Sequence, residues 1–213
     1  MIVVGISVIV YPKITDFIYH NSAEKAMSEF TAESKQTDTD RLYELLKQKN
    51  EELYLTHQAD LSDPFSYSQA DIDLSEYGIN DGIIAYVAIP KIDETMPVIL
   101  GASSENLTKG AVHLTNTSYP IGGVNTNSVI AAHRGWSRAK MLRNIDKLEI
   151  GDTVYIENFR ETLEYRVSEI EIIDPDDINK LLIRDGKDMI SLITCHPYRV
   201  NTHRYVVFCE RVM

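Results

Sequence analysis

The sequence contains few of the residues that mark several large classes of protein. Among its 213 residues there are two cysteines, Cys195 and Cys209, and a single tryptophan. Two cysteines cannot build a disulfide framework, and their spacing matches no paired zinc-binding motif. Each cysteine therefore needs an explanation of its own, and we expect no metal or other cofactor.

Basic residues are also scarce. Lys and Arg total 21 against 32 Asp and Glu, which gives a formal net charge of -11. A nucleic acid would be repelled by this average field, and no stretch rich in Lys or Arg offers a local attraction. The composition argues against a nucleic-acid partner and favours proteins as partners.

The chain also lacks an apolar run long enough to cross a membrane. Residues 1–12 are apolar and almost free of charge, but the run stops at Pro12, short of the ~20 residues that a spanning helix needs. The run has neither the basic segment nor the small-residue cleavage site of a signal peptide. We interpret residues 1–12 as the remainder of a membrane anchor, and the alternative is a buried first turn or strand.

Residues 13–80 are predicted to form a helical arm followed by a loop. Leucines between positions 42 and 53 recur at spacings of three to four and seven to eight, which indicates a helix. Capping residues further upstream predict two helices with a break near Gln36. Residues 60–80 are acidic, contain Pro64 and show no sustained period, which predicts a long loop.

The rest of the chain, residues 81–213, consists of short runs rich in β-branched and aromatic residues, bounded by turn signals. Many short strands with few helices predict a mostly β fold, a closed or nearly closed β-barrel with short helices. The predicted strands are 83–89, 97–100, 128–132, 153–157, 163–173, 189–194 and 205–209.

A candidate reactive group stands at the end of one of these strands. The apolar run before Cys195 ends in this thiol, and Pro197 should end the pairing because proline cannot donate to a sheet. A thiol nucleophile needs a proton partner and a cation for the developing oxyanion. His133 closes an earlier strand and Arg204 opens the next one. Two plainer readings stay open: a buried structural cysteine and an arginine in a surface ion pair.

Several motifs in register resemble the active-site signatures of the sortases, specifically the class C, pilus-assembling branch. The resemblance is continuous over residues 83–212 and implies a sortase-type β-barrel. The motifs are Leu192-Ile-Thr-Cys195, the run His196 to Arg204, Ala132-His-Arg-Gly135, and matching stretches at 88–92, 101–105 and 118–123.

The resemblance implies a cysteine transpeptidase. Cys195 would attack the Thr-Gly carbonyl of a Leu-Pro-x-Thr-Gly-like sorting signal, and a lysine amine of the next pilin would resolve the thioester. His133 would act as general acid and then as general base, and Arg204 would bind the tetrahedral oxyanion. For the substrate groove, Thr194 is a candidate for a hydroxyl contact. His113 is a second candidate, although a satisfied structural histidine is the stronger reading.

The resemblance also reaches the acidic loop. Asp63-Pro64-Phe65 resembles the Asp-Pro-aromatic lid of the pilus-assembling branch, in which a loop folds over the catalytic cleft. We expect Asp63 to pair with Arg204, and Phe65 to lie over the Cys195 sulfur. The alternative is a solvated turn, because Asp-Pro commonly opens turns.

Two positions depart from the family pattern. Family members usually carry a small or hydroxyl residue after the nucleophile and a glycine after the tyrosine, where this chain has His196 and Arg199. We expect substrate selection to differ accordingly. His196 and His203 should point away from the reactive face, because side chains alternate along a strand.

The resemblance implies a location on the extracellular face of the plasma membrane of a Gram-positive bacterium, with residues 1–12 as the anchor. The expected partners are pilin or surface proteins that carry a sorting signal, together with a lysine amine as acceptor. Three alternatives stay open: anchoring of single surface proteins to peptidoglycan, a binding module without turnover, and a small metalloprotein using His133 and Cys195.

Overall fold

The computed structural model describes residues 14–15, 18, 21–32, 39–58, 61–66, 69–135 and 139–212. The predicted anchor segment 1–12 and the predicted helix break near Gln36 lie outside these ranges. Among the described residues, no helix has both the length and the apolar character needed to cross a membrane.

Helices precede and flank the sheet. Residues 21–32 are helical (α1), α2 spans Asp40–Leu55, and the short α3 spans Ser104–Lys109. Leu42 and Leu46 lie one turn apart on α2, and both are fully buried in the main core. The leucine spacing of the sequence therefore marks the packed face of this helix.

A buried amide connects α2 to the barrel. Asn50 is 5% exposed and exchanges two hydrogen bonds with the backbone of Tyr119. The Asn50 amide donates to the Tyr119 carbonyl at 3.3 Å, and its oxygen accepts from the Tyr119 N–H at 2.7 Å. Because a buried polar group without partners is costly, this exchange holds the helix in one position on the barrel.

The strands are β1 Ile83–Ile89, β2 Glu94–Leu100, β3 Ala111–His113, β4 Thr126–Ala131, β5 Thr153–Asn158, β6 Thr162–Ile173, β7 Asp188–His196 and β8 His203–Arg211. In the described chain they close into a barrel in the order β1-β2-β3-β4-β7-β8-β6-β5. The predicted β-barrel is confirmed. Strand β3 and residues 94–96 of β2 are not predicted from the sequence, because β3 has only three residues and β2 begins with the charged Glu94.

The strand directions bring three chain segments to one rim of the barrel. Strand β7 pairs in parallel with β4 and antiparallel with β8. The carboxyl ends of β4 and β7 and the amino end of β8 therefore lie side by side. This rim carries His133 just beyond β4, Cys195 near the end of β7 and Arg204 near the start of β8.

The barrel is filled by side chains that alternate along the strands. Tyr86, Tyr165 and Phe208 are among the largest fully buried residues. On β5 buried and half-buried residues alternate, as expected for a strand with one face on the core. The interior is therefore packed rather than hollow.

Candidate active site

Cys195 and Arg204 face each other across two neighbouring strands. They are direct partners in the antiparallel β7–β8 register. Residues directly opposite in such a pair project to the same face, with Cβ atoms about 4.5–5.5 Å apart. The thiol is partly exposed, whereas Arg204 is 8% exposed. The short hairpin therefore brings a nucleophile and a permanent cation together.

The Arg204 guanidinium is occupied by a carboxylate from the loop. Its Nε donates to Asp63 Oδ1 at 2.9 Å and its Nη2 donates to Asp63 Oδ2 at 2.8 Å. The remaining Nη1 donates to the carbonyls of His203 and Asn201 at 3.1 and 3.4 Å. This two-pronged geometry is the strong form of the arginine–carboxylate pair.

An aromatic ring lies beside the same residues. The Arg204 guanidinium carbon is 5.0 Å from the centre of the Phe65 ring, and the rings of Phe65 and His133 are 6.4 Å apart. The backbone turns here, because Pro64–Ser66 form a short 3₁₀ helix in which Ser66 donates to the Asp63 carbonyl. Asp63 and Phe65 thus cover two of the three candidate catalytic residues at once.

His133 is positioned by a tight turn after β4. Its carbonyl accepts a hydrogen bond from the Leu142 N–H at 3.2 Å. Two residues later Gly135 has a φ of +87°, and a Cβ on it would lie 2.6 Å from Arg143 Nε. Glycine adopts this backbone conformation at no steric cost, whereas other residues are strained in it. The glycine of the Ala132-His-Arg-Gly135 motif therefore has a local structural reason.

Burial and the Asp63 carboxylate shift the pKa values of the candidate catalytic residues. Burial raises the pKa of the Cys195 thiol, Arg204 lowers it, and the Asp63 carboxylate raises it. Burial lowers the pKa of the His133 imidazole. The hydrogen bond to Asp63 raises the pKa of Arg204. In this conformation the shifts favour the neutral thiol of Cys195 and the charged form of Arg204.

Comparison with known proteins decides the family. The Sortase domain model matches residues 87–212, more than half of the chain. The chain belongs to the sortase family. It is therefore a cysteine transpeptidase, and such enzymes act at the surface of Gram-positive cells on pilin or surface proteins that carry a sorting signal.

Solved structures place this sortase with the class C branch. The Streptococcus agalactiae sortase C1 is 32% identical over 90% of this chain and 96% of that chain, with a TM-score of 0.80. The Streptococcus pneumoniae sortase C is 32% identical over 89% and 97% of the two chains, with a TM-score of 0.72. Sortase A of Bacillus anthracis is 26% identical over 84% of this chain and 81% of its own length.

The loop of this sortase is tied down on the side that precedes Asp63. Gln58 is 4% exposed; its amide donates to the Asn116 carbonyl at 3.1 Å, and its oxygen accepts from the Ile183 N–H at 2.7 Å. Leu61 is buried in an apolar cluster, and Phe65 packs on the edge of this cluster. The loop therefore leaves the barrel from a fixed point.

A second tie lies on the side that follows Phe65. The Thr115 hydroxyl donates to the Gln69 carbonyl at 2.8 Å. Next to it, Gly101 has a φ of +81°, and a Cβ on it would lie 2.5 Å from the Ala70 backbone nitrogen. Glycine is required here for the close approach of the loop. Movement of the segment that carries Asp63 and Phe65 is therefore bounded by these two ties.

The two candidate groove residues lie inside the fold. Thr194 is fully buried, and its hydroxyl donates to the Ala132 carbonyl at 2.7 Å. His113 is 2% exposed, its Nε2 lies 3.0 Å from the Ser118 carbonyl, and burial lowers its pKa. The structure thus gives Thr194 a role in joining β7 to the segment before His133, and it surrounds His113 with core partners.

The second thiol of this sortase lies apart from the rim. Cys209 is fully buried within β8, and burial raises its pKa. Within the described part of the chain, no group of three or more His, Cys, Asp or Glu side chains is arranged to hold a metal ion.

The sequence alone assigns no role to Arg134, although this residue belongs to the Ala132-His-Arg-Gly135 motif. Its partners are distant in the chain, so its contacts are visible only in the structure.

Proposed function

We propose that this sortase cleaves a Leu-Pro-x-Thr-Gly-like sorting signal between Thr and Gly and transfers the acyl group to a lysine amine of a pilin subunit, which polymerises pili. The observation that carries the proposal is the direct pairing of Cys195 with Arg204 across β7 and β8, at the rim that also carries His133. This rim supplies a nucleophile, a proton carrier and an oxyanion cation.

In the first half of the reaction, the Cys195 sulfur bonds to the threonine carbonyl carbon while the Thr–Gly amide bond breaks. His133 takes the proton of the Cys195 thiol as the sulfur attacks and, as general acid, gives it to the departing glycine amine. Arg204 donates to the tetrahedral oxyanion. The product is a thioester on Cys195 and a free C-terminal fragment.

In the second half, a lysine amine attacks the thioester carbonyl. His133 takes a proton from this amine and passes it to the Cys195 sulfur, so that an isopeptide bond forms, the thioester C–S bond breaks and the cysteine returns to its free thiol. No net oxidation or reduction occurs. The imidazole serves both halves because it can hold and return one proton near neutral pH.

The covering loop supports the pilus-assembling form of this proposal. Asp63 occupies two N–H groups of Arg204, so the loop must move before the arginine can bind an oxyanion. The Streptococcus pneumoniae sortase C has specificity for pilin substrates, and another similar chain, 32% identical with a TM-score of 0.82, is a sortase C1 of a pilus island. We propose the same class of substrate here, with residues 1–12 as part of a membrane anchor.

The nucleophile is tested with a sorting-signal peptide and hydroxylamine as a simple amine. Wild type and Cys209→Ala should form a thioester that mass spectrometry detects, and should release the C-terminal fragment. Cys195→Ala should do neither. An adduct on the Cys195→Ala variant would contradict the assignment, and peptide binding without cleavage by wild type would favour a binding module.

The acceptor is tested in a second reaction. Pilin that carries a sorting signal should form a ladder of covalent polymers with the wild type, joined through lysine side chains that mass spectrometry identifies. Transfer to a peptidoglycan amine without a ladder would instead favour the anchoring of single proteins.

A further inference from the structure

A second set of contacts lies directly behind the candidate active site. Its members are the chain neighbours of the three candidate catalytic residues: Arg134 follows His133, His196 follows Cys195, and Tyr205 follows Arg204. Along β7 and β8 successive side chains project to opposite faces, so His196 and Tyr205 lie on the reverse side of the sheet from the reactive groups. Here they meet Arg134.

Arg134 is the centre of this set. It is 8% exposed, and its Nη1 donates a hydrogen bond to His196 Nδ1. Its Nη2 lies 3.2 Å from the Asp146 carboxylate, and its guanidinium carbon lies 5.4 Å from the centre of the Tyr205 ring. The rings of His196 and Tyr205 are 5.7 Å apart. A nearly buried arginine is thus held by an imidazole, a carboxylate and an aromatic face.

The Arg134–His196 hydrogen bond links β4 and β7 beyond the point where their backbone pairing ends. The β4–β7 register runs to the pair Ala131 and Ile193, two residues before His133 and Cys195. Beyond that pair, the Ala132 N–H still donates to the Ile193 carbonyl and the Thr194 hydroxyl donates to the Ala132 carbonyl. The two segments then part. The side-chain bond from Arg134 to His196 joins them again just beyond the reactive residues.

This bond sets the protonation of the imidazole. A guanidinium has no acceptor, so His196 Nδ1 must carry no proton, and the ring is neutral with its proton on Nε2. The charged or titratable groups that face it are Arg134, His203 and Asp146. Burial lowers the pKa of His196, Arg134 and His203 lower it further, and Asp146 raises it. Protonation would remove the acceptor and set two cations against each other.

We propose that Arg134 and His196 form a positioning pair, which holds the segment of His133 in register with Cys195 and which exists only while His196 is neutral. The inference rests on the proposed function, in which His133 and Cys195 react with the sorting signal. Neither residue of the pair touches the substrate. Their effect arises because small displacements of reacting groups reduce rates strongly, by up to about 100-fold for 1 Å.

The first test compares three variants in peptide cleavage. His196→Ala removes the acceptor, and His196→Asn places an amide oxygen near the former Nδ1 without a titratable ring. His203→Asn is the matched control, because His203 is the direct partner of His196 in the β7–β8 register. At about pH 7.5, His196→Ala should lower kcat by about 3- to 30-fold with little change in KM. His196→Asn and His203→Asn should stay within about threefold of wild type.

The second test uses pH. The ratio of kcat/KM for His196→Asn to that for wild type should rise as pH falls from about 7.5 to about 5, through and below the usual imidazole range. His133, Cys195 and Arg204 are present in both proteins, so their own titrations cancel in this ratio. A flat ratio would overturn the requirement for a neutral His196. If His196→Ala lowers kcat and His196→Asn lowers it as much, the proposed role of a hydrogen-bond acceptor at position 196 would be overturned.

The third test needs no turnover. Ring ¹⁵N chemical shifts of His196 in the wild-type protein should show a neutral imidazole with the proton on Nε2 at about pH 7.5. Failure of wild type to cleave any sorting-signal peptide would count against the proposed function, whereas the ring measurement would still decide the pair. A proton on Nδ1 at that pH would overturn the pair even in an active enzyme.

Discussion

Asp63 and Arg204, which are 141 positions apart in the chain, form a two-pronged ion pair with N–O distances of 2.9 and 2.8 Å. The pair occupies two of the N–H donors that Arg204 would offer to an oxyanion under the proposed function. The structure is therefore a closed form, in which the candidate cleft is covered by its own loop. Apparent affinity for a substrate is lowered by the fraction of molecules that are closed.

The first prediction concerns the accessibility of the thiol. Replacing Asp63 and Phe65 together by alanine should raise the rate at which a neutral thiol reagent labels Cys195 by about tenfold or more, because hydrogen bonds to charged groups contribute about 1.5–3 kcal/mol. Residues 61–66 should also be cut faster by proteases. Labelling is followed by mass spectrometry.

Glu76→Ala is the control, since it removes an exposed carboxylate from the same long loop. It should label at the wild-type rate. Equal rates for wild type and the double variant would show that the loop does not limit access to the thiol.

The second prediction concerns the pH dependence of labelling. Arg204 lowers the pKa of Cys195 and the Asp63 carboxylate raises it. Asp63→Asn removes the raising charge, so the thiolate should form at lower pH than in wild type, and the labelling midpoint should move toward acid. Asp176→Asn changes an exposed carboxylate elsewhere and should leave the midpoint in place. A midpoint that moves to higher pH in Asp63→Asn would contradict this account.

The third prediction uses the two functions of Arg204. Arg204→Lys keeps the charge but loses the planar fork, so peptide acylation should fall by about 10- to 1000-fold. The same change weakens the ion pair with Asp63, so the loop should open more often and a small reagent should label Cys195 faster. Arg166→Lys, an exposed change on β6, should alter neither rate.

These opposite changes separate chemistry from access. A variant that loses labelling and acylation together would indicate a damaged fold. Near-normal acylation would make Arg204 a structural residue.

The fourth prediction concerns the helical arm. Asn50→Ala leaves the buried N–H and carbonyl of Tyr119 without the partners they have now, so the free energy of unfolding should fall by about 1–3 kcal/mol. Gln48→Ala, on an exposed position of the same helix, should change it by less than about 0.5 kcal/mol. Urea unfolding measures both, and equal effects would contradict the docking role of Asn50.

The sequence was informative where a signal is local. Alternation and turn residues predict most strands of the barrel, and the leucine spacing predicts the buried face of α2, because these patterns repeat within a few residues. The three-residue strand β3 carries no such pattern. It exists because β2 and β4 offer it hydrogen-bond partners on both sides.

By itself the sequence determined the class of fold, the family and the residues that are candidates for the chemistry: Cys195, His133, Arg204 and the Asp63-Pro64-Phe65 loop. Only the tertiary structure decided how these residues are arranged. The closing of the barrel, the closed loop on Arg204 and the bond between Arg134 and His196 each join positions far apart in the chain. Such contacts depend on how distant strands and loops pack against each other, whereas the patterns visible in the sequence span only a few residues.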